Sequence, residues 1–266
     1  MKSKIKLVSI SIVAFQVGIT FKAHAEISAI DIMKKNFVVS KVKDSGSESI
    51  MKLVDANGKE RIREMATKTR LVDGTTDTMR LVTFSSPADV KGTKTLIIEK
   101  SDGDDGIWVY LPSLKKVRRL VASNKKDSFA GSDFSYGDMV GFKVDEWNHK
   151  LIKEDACGKQ KCFIIESSPK KPDESEATGY SKFIGWYDKN NMYRTKAEVY
   201  DLQGKLLKVI TADKVTQVDK ANNKWFAYLL EAKNIQTGRK TIFEIKNYKA
   251  NIGVSANLFK AGNLEK

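Results

Sequence analysis

Two cysteines, two histidines and one acidic turn are the residues of this 266-residue chain whose types and spacing could do chemistry. His24 lies in a segment with the pattern of a cleaved leader, which leaves His149 alone. One histidine cannot build a His-rich zinc site. A Ser–His–Asp triad would have to use this same residue, and the chain has no Gly-x-Ser-x-Gly elbow. Its neighbours Trp147 and Asn148 point to an exposed strand residue rather than a catalytic base. The run Asp102-Gly103-Asp104-Asp105-Gly106 hints at a calcium loop, but Gly106 takes the fifth position and Ser113 stands where a bidentate Glu belongs. Turn formers in that density read as a tight β-turn. No phosphate-cradling Gly-Lys-Ser/Thr loop occurs, and nothing singles out a working pair of carboxylates. Hydrolysis is therefore the third-ranked reading, and the chain is expected to be no enzyme and to use no cofactor or metal.

Cys157-Gly158-Lys159-Gln160-Lys161-Cys162 spans a short polar turn. The spacing is not Cys-x-x-Cys and no helix start follows, so a disulfide stapling a hairpin is expected over a redox-active pair. A loop this small contributes roughly 2 kcal/mol by chain entropy.

That disulfide needs an oxidising compartment, and the N-terminus supplies one. Lys2, Lys4 and Lys6 precede a largely apolar run from Leu7 to Phe21, and Ala23-His24-Ala25 offers small residues where a signal peptidase reads. Residues 1–25 are expected to be removed and Glu26 to begin a periplasmic protein. The alternative is an uncleaved anchor, for which the apolar run is short. No Cys follows the cleavage site to take a lipid. Removing 1–25 takes away four lysines, so the net charge falls from +14 to +10. Export excludes nucleic acid as the partner of that charge, leaving anionic head groups, an acidic protein or a merely solvated surface. Only Lys115, Lys116, Arg118 and Arg119 form a compact cluster.

The elements that would position these groups are mostly strands. Ile27, Ile30, Met33 and Phe37 recur at helical spacing, predicting an amphipathic helix over 27–37. Strands are predicted over 49–55, 60–71, 75–84, 93–99, 106–111 and 115–120, then over 146–154, 161–167, 180–187, 193–201, 205–212, 224–232 and 239–248. Turn signals such as Asn57-Gly58, Asp73-Gly74 and Gln203-Gly204 separate them. The polar stretch 169–179 is expected to be a mobile loop. Regular short strands without long helices imply a large antiparallel sheet or open barrel.

One stretch is more particular. Trp108-Val109-Tyr110-Leu111-Pro112 leads into Lys115 to Leu120 and then Phe129-Ala130-Gly131-Ser132-Asp133-Phe134-Ser135-Tyr136-Gly137-Asp138. With Phe84-Ser85-Ser86-Pro87 upstream and Asn251-Ile252-Gly253-Val254, Leu258-Phe259 and Leu264 downstream, it resembles the outer membrane lipoprotein-sorting protein family, a LolA-like group. The resemblance covers nearly the whole of 26–266 as one LolA-like domain. It implies a mostly β fold: a curved antiparallel sheet forming an open half-barrel, LolA/LolB-like, with a few helices in the concave face. It also implies a carrier that binds acyl chains of lipoproteins or other lipids in a hydrophobic cavity for transfer toward the outer membrane. An RND-type or ABC-type inner-membrane transporter, an outer-membrane acceptor and a monomeric carrier go with it. The alternative is a cargo-free accessory subunit of an RND-type lipid exporter. Within that fold the expected cavity residues are Leu81, Leu96, Ile98, Trp108, Tyr110, Tyr193, Val199, Phe243 and Ile245. Trp108 and Tyr110 share one face of their strand, and Ile107, Val109 and Leu111 the other. Lys115, Lys116, Arg118 and Arg119 are expected to meet head groups or a partner. Phe129, Gly131, Ser132, Asp133, Phe134 and Tyr136 form a signature loop, read either as a structural turn capped by Asp133 and Ser135 or as a lid at the cavity mouth.

Overall fold

A computed structural model describes residues 27–266, so the leader expected over 1–25 and the new N-terminus at Glu26 lie outside the described residues. Helix α1 (Ala29–Val39) begins where Ser28 accepts a hydrogen bond from the Asp31 backbone N–H, and it buries Ile32 and Met33. Thirteen strands follow in two meanders. The first holds β1 (Asp44–Val54), β2 (Glu60–Leu71), β3 (Thr78–Ser86), β4 (Lys94–Ile98), β5 (Gly106–Leu111) and β6 (Lys116–Leu120). The second holds β7 (Trp147–Cys157), β8 (Gln160–Pro169), β9 (Tyr180–Asp188), β10 (Arg194–Asp201), β11 (Leu206–Asp219), β12 (Lys224–Asn234) and β13 (Lys240–Ala250).

Antiparallel pairing of β1 with β13 joins the meanders into a single open sheet, ordered β6-β5-β4-β3-β2-β1-β13-β12-β11-β10-β9-β8-β7. The sheet is strongly curved, because side chains from β3 and β10, six places apart, line one cavity. The edge strands β6 and β7 carry charge at most exposed positions, the usual guard of an unpaired edge. Since β6 and β7 lie at opposite edges, the connection 121–146 between them has to span the sheet, and the burial of its Phe129 and Phe134 in the main core places it across the open side of the trough.

Along β1 the inward positions run Ser45, Ser47, Ser49, Met51 and Leu53, so the trough is polar at one end and apolar at the other. At the apolar end Met51, Met65, Val82, Phe84, Phe243 and the crossing segment's Phe129 and Phe134 form the main core. A second, smaller core lies on the outer face. There the C-terminal residues Val254, Phe259 and Leu264 cover Leu96, with Trp108 and Tyr110 at the margin. Asp44 starts this cover: its Oδ1 accepts the backbone N–H groups of Ile252, Gly253 and Val254 at 2.8, 2.8 and 3.2 Å.

The stretch 169–179 departs from its expected form. After α2 (Tyr136–Val140) in the crossing segment, Pro172–Thr178 is a helix, α3, with Pro172 in its first turn and Gly179 closing it at φ +76°. Proline at the start needs no N–H partner, and glycine at the end accepts the left-handed turn. The helix packs on the crossing segment, where Lys125 reaches Asp105 at 3.0 Å and Glu174 at 4.0 Å.

Among the described residues no helix is long and apolar enough to cross a membrane.

Candidate functional site

The crossing segment contains the signature loop, and it is nailed to the inner face of the sheet. Ser135 caps the short helix α2 (Tyr136–Val140): its hydroxyl accepts the Asp138 N–H, and Asp138 returns the bond to the Ser135 N–H. Cations from the sheet then take the segment's carbonyls. Arg63 on β2 donates to Ala130, Arg80 on β3 to Met139, and Lys208 on β11 to Asp133 at 3.0 Å. Asp133, read as a helix cap from sequence, instead accepts the Thr241 hydroxyl at 2.9 Å and pairs with Arg239 at 3.4 Å. Phe129 is fully buried against Phe84 and Tyr136, while Phe134 packs on Phe243 with ring centres 5.1 Å apart. Ser132 is buried and bonds within the loop, and Gly131, at φ +70°, offers its carbonyl to Arg239.

Beneath this segment lies a cavity of about 410 Å³. Its roof is the end of α1 (Asn36, Phe37, Val39) together with 139–142. One wall is a ladder of hydroxyls, Ser45, Ser47 and Ser49 on β1 with Thr67 and Thr69 on β2. The other is apolar: Ile210, Ala212, Phe226, Leu230, Phe243 and Ile245 from β11, β12 and β13. An amphipathic chamber of this kind can desolvate a hydrocarbon on one side while satisfying polar groups on the other. Lys41 and Glu99 form an ion pair at its margin, 2.7 Å apart. Burial lowers the Lys41 ammonium below its ordinary value, against the pull of Glu99. Burial likewise lowers the Arg80 guanidinium.

Three residues assigned to the cavity from sequence line it: Tyr193, Phe243 and Ile245. Val199 is buried in the main core without reaching the cavity. Leu81, Leu96, Ile98, Trp108 and Tyr110 lie on the opposite face, in the core under the C-terminal segment. Strand alternation explains the reversal. Trp108 pairs with Leu96 and Ile107 with Ile97, and it is Ile97 that lines the cavity. Both faces of β5 are apolar, so its composition does not say which one looks inward. The serine and threonine ladder, Arg80, Arg194, Phe226 and Leu230 were not singled out. The signal for the ladder is a hydroxyl at every second residue of β1 from Ser45 to Ser49.

Lys115, Lys116, Arg118 and Arg119 remain exposed on or beside edge strand β6. Arg119 sits 5.6 Å over the Trp108 ring on the outer face. His149 is half-buried rather than exposed. Nδ1 meets the Ser167 hydroxyl at 2.8 Å and Nε2 meets the Val144 carbonyl at 2.9 Å, so neither ring nitrogen faces a substrate space. Burial lowers its pKa, with the Val144 carbonyl pulling the other way. Cys157 and Cys162 are joined across the β7–β8 hairpin, with Cα atoms 5.8 Å apart. The Asp102–Gly106 turn does not converge on a metal geometry, and no group of three or more metal-ligating side chains occurs among the described residues.

A family model described as "Uncharacterized protein" matches residues 76–266. A DUF1329 family protein from Desulfovibrio piger is 30% identical, with a TM-score of 0.82 over 89% of this chain and 97% of that one. A candidate outer membrane lipoprotein-sorting protein domain from Vibrio parahaemolyticus is 29% identical, with a TM-score of 0.82 over 90% of this chain and 98% of that one. The chain belongs to the DUF1329 family. A LolA superfamily protein from Nitrosomonas europaea, 15% identical, superposes with a TM-score of 0.67 over 88% of this chain and 98% of that one, and so shares the fold. No curated protein matches the chain. The family's LolA-like half-barrel is the architecture described above: a thirteen-stranded open antiparallel sheet with few helices.

Proposed function

We propose that this family member, acting as a single periplasmic domain over 26–266, carries acyl chains of a lipoprotein or another lipid toward the outer membrane. The observation that supports this reading most is the cavity between sheet and helices, with its continuous apolar wall from Ile210 to Ile245. Its volume falls in the range of small-molecule sites, about 300–1,000 Å³. An acyl chain of about fourteen methylenes contributes roughly 11 kcal/mol on burial. Spontaneous extraction from a bilayer does not gain from that, because the bilayer buries the same methylenes. A carrier of this kind works between an inner-membrane donor, of RND or ABC type, and an outer-membrane acceptor that binds more tightly. The cations of β6 would face the head groups or the donor.

A second reading, a cargo-free docking subunit of an exporter, draws support from the same edge. Leu114 and Val121 flank β6 and are 57% and 64% exposed, so the edge offers apolar as well as charged surface. Native mass spectrometry of protein purified from its own periplasm separates the two. The carrier reading expects a co-purifying lipid or acylated peptide; a lipid-free protein that still binds an exporter subunit would favour the docking reading.

A further inference from the structure

Six charged residues line the cavity: Lys41, Arg80, Glu99, Asp138, Arg194 and Lys196. Four of them are neutralised by ion pairs, Lys41 with Glu99, Asp138 with Lys208 and Lys196 with Glu198. Arg80 and Arg194 are not among the ion pairs of the described residues. Glu99 acts on Arg80 from a distance, its close contact taken by Lys41. Both guanidiniums reach the same roof turn from opposite walls: Arg80 donates to the Met139 carbonyl, and Arg194 lies 5.7 Å from the Phe142 ring centre. The chamber therefore carries an excess of two positive charges at its roof.

Its hydroxyl wall is unequally occupied. Ser45 and Thr69 bond to each other at 2.5 Å. Ser47 and Thr67, the next cross-strand pair, face the cavity with no side-chain partner among the described residues. A plain hydrocarbon would leave those hydroxyls unpaired and bring no counter-charge to the two guanidiniums, of which Arg80 already donates to the Met139 carbonyl and Arg194 lies over the Phe142 and Phe183 rings beside Tyr187. Oxygen-rich, negatively charged groups would satisfy both.

Resting on the carrier reading, we propose that the cargo of this cavity is an anionic amphiphile. Its acid group sits under the roof turn near Arg80 and Arg194, its neighbouring oxygens lie on Ser47 and Thr67, and its chain runs along the β11–β13 wall. A free carboxylate and a phosphodiester share this chemistry, and probes can tell them apart.

Displacement of a fluorescent fatty acid from the purified, delipidated protein provides the test, with palmitate, palmitoyl-lysophosphatidylglycerol, hexadecanol and hexadecyltrimethylammonium as competitors. At least one of the two acids should bind about tenfold or more tighter than hexadecanol, and the cation most weakly. The tighter acid names the source. Arg194→Gln should erase most of that gap and Arg194→Lys should keep it. Thr67→Val, which holds the strand's shape, should weaken the acids and spare hexadecanol. Arg80 also holds the roof, so Arg80→Gln is informative only where its thermal midpoint matches the parent. Equal binding of acid, alcohol and cation would overturn the proposal and leave the carrier reading standing. Binding of none of the four would overturn both.

Discussion

Lys208 Nζ donates to Asp138 Oδ2 at 2.5 Å, tying the start of β11 to helix α2 across the trough. Both side chains are almost fully buried, at 4% and 10% exposure. Tyr180 completes the cluster by donating to Asp138 Oδ1 at 3.0 Å and meeting the Ser135 hydroxyl at 3.0 Å. The crossing segment is thereby held through charge in a place where water cannot compensate a loss.

Removing either partner should be costly for that reason. Lys208→Met or Asp138→Asn leaves a buried group uncompensated and should lower stability by about 3–5 kcal/mol in urea titration, whereas the double variant should cost less than the two singles together. Simple additivity would show that the pair does not act as a unit.

Alkaline pH should act on the same cluster. Burial alone would lower the Lys208 ammonium, but Asp138 outweighs it and the pKa is raised. Burial, then Asp138, pushes the Tyr180 phenol up to about 12. A raised folded value means stability is complete below the ordinary values, about 10 for both groups, and is lost as pH climbs toward the folded ones. The thermal midpoint should be level through neutral pH and fall above about pH 10, less steeply in Lys208→Met.

How much of this was legible beforehand differs between elements. All thirteen strands were readable, since turn residues such as Asn57-Gly58 and Gln203-Gly204 punctuate period-two runs. The direction of a strand's faces was not. Trp108 and Tyr110 are as apolar as Ile107 and Val109, and only the position of the C-terminal segment decides which pair faces outward. Helix α3 was hidden because its seven residues, Pro-Asp-Glu-Ser-Glu-Ala-Thr, bury almost nothing. Its signals were the terminal Pro172 and Gly179 rather than any periodicity. The inward charge did leave a trace: Lys208 shares alternate positions with Ile210 and Ala212, which puts an ammonium on a core face and demands a partner.

His149→Ala should leave cargo binding intact. It strips a partner from Ser167, which is fully buried, and should cost about 1–2 kcal/mol. Because burial first, and Lys170 in smaller part, hold the His149 pKa down against the Val144 carbonyl, its contribution is present above about pH 6.5 and lost as pH falls below. The variant's stability should therefore vary less on the acid side. Loss of cellular function with folding unchanged would instead revive the hydrolase reading.

The β6 edge separates membrane contact from simple edge protection. Lys116→Gln, Arg118→Gln and Arg119→Gln together should leave the thermal midpoint nearly unchanged, because all three are exposed. If they meet anionic head groups, each is worth roughly 1 kcal/mol, and sedimentation with phosphatidylglycerol vesicles should weaken about a hundredfold. Unchanged sedimentation would assign them to guarding the edge.

The claim that lipid lies between sheet and helices, and not on the outer face, is tested most directly by photo-crosslinking in the native periplasm. A crosslinker at position 230 faces the cavity from β12, and one at position 108 faces the core under the C-terminal segment. The carrier account expects acyl-chain adducts at 230 and none at 108, with 108 capturing only its own chain. Adducts at 108 without any at 230 would contradict it.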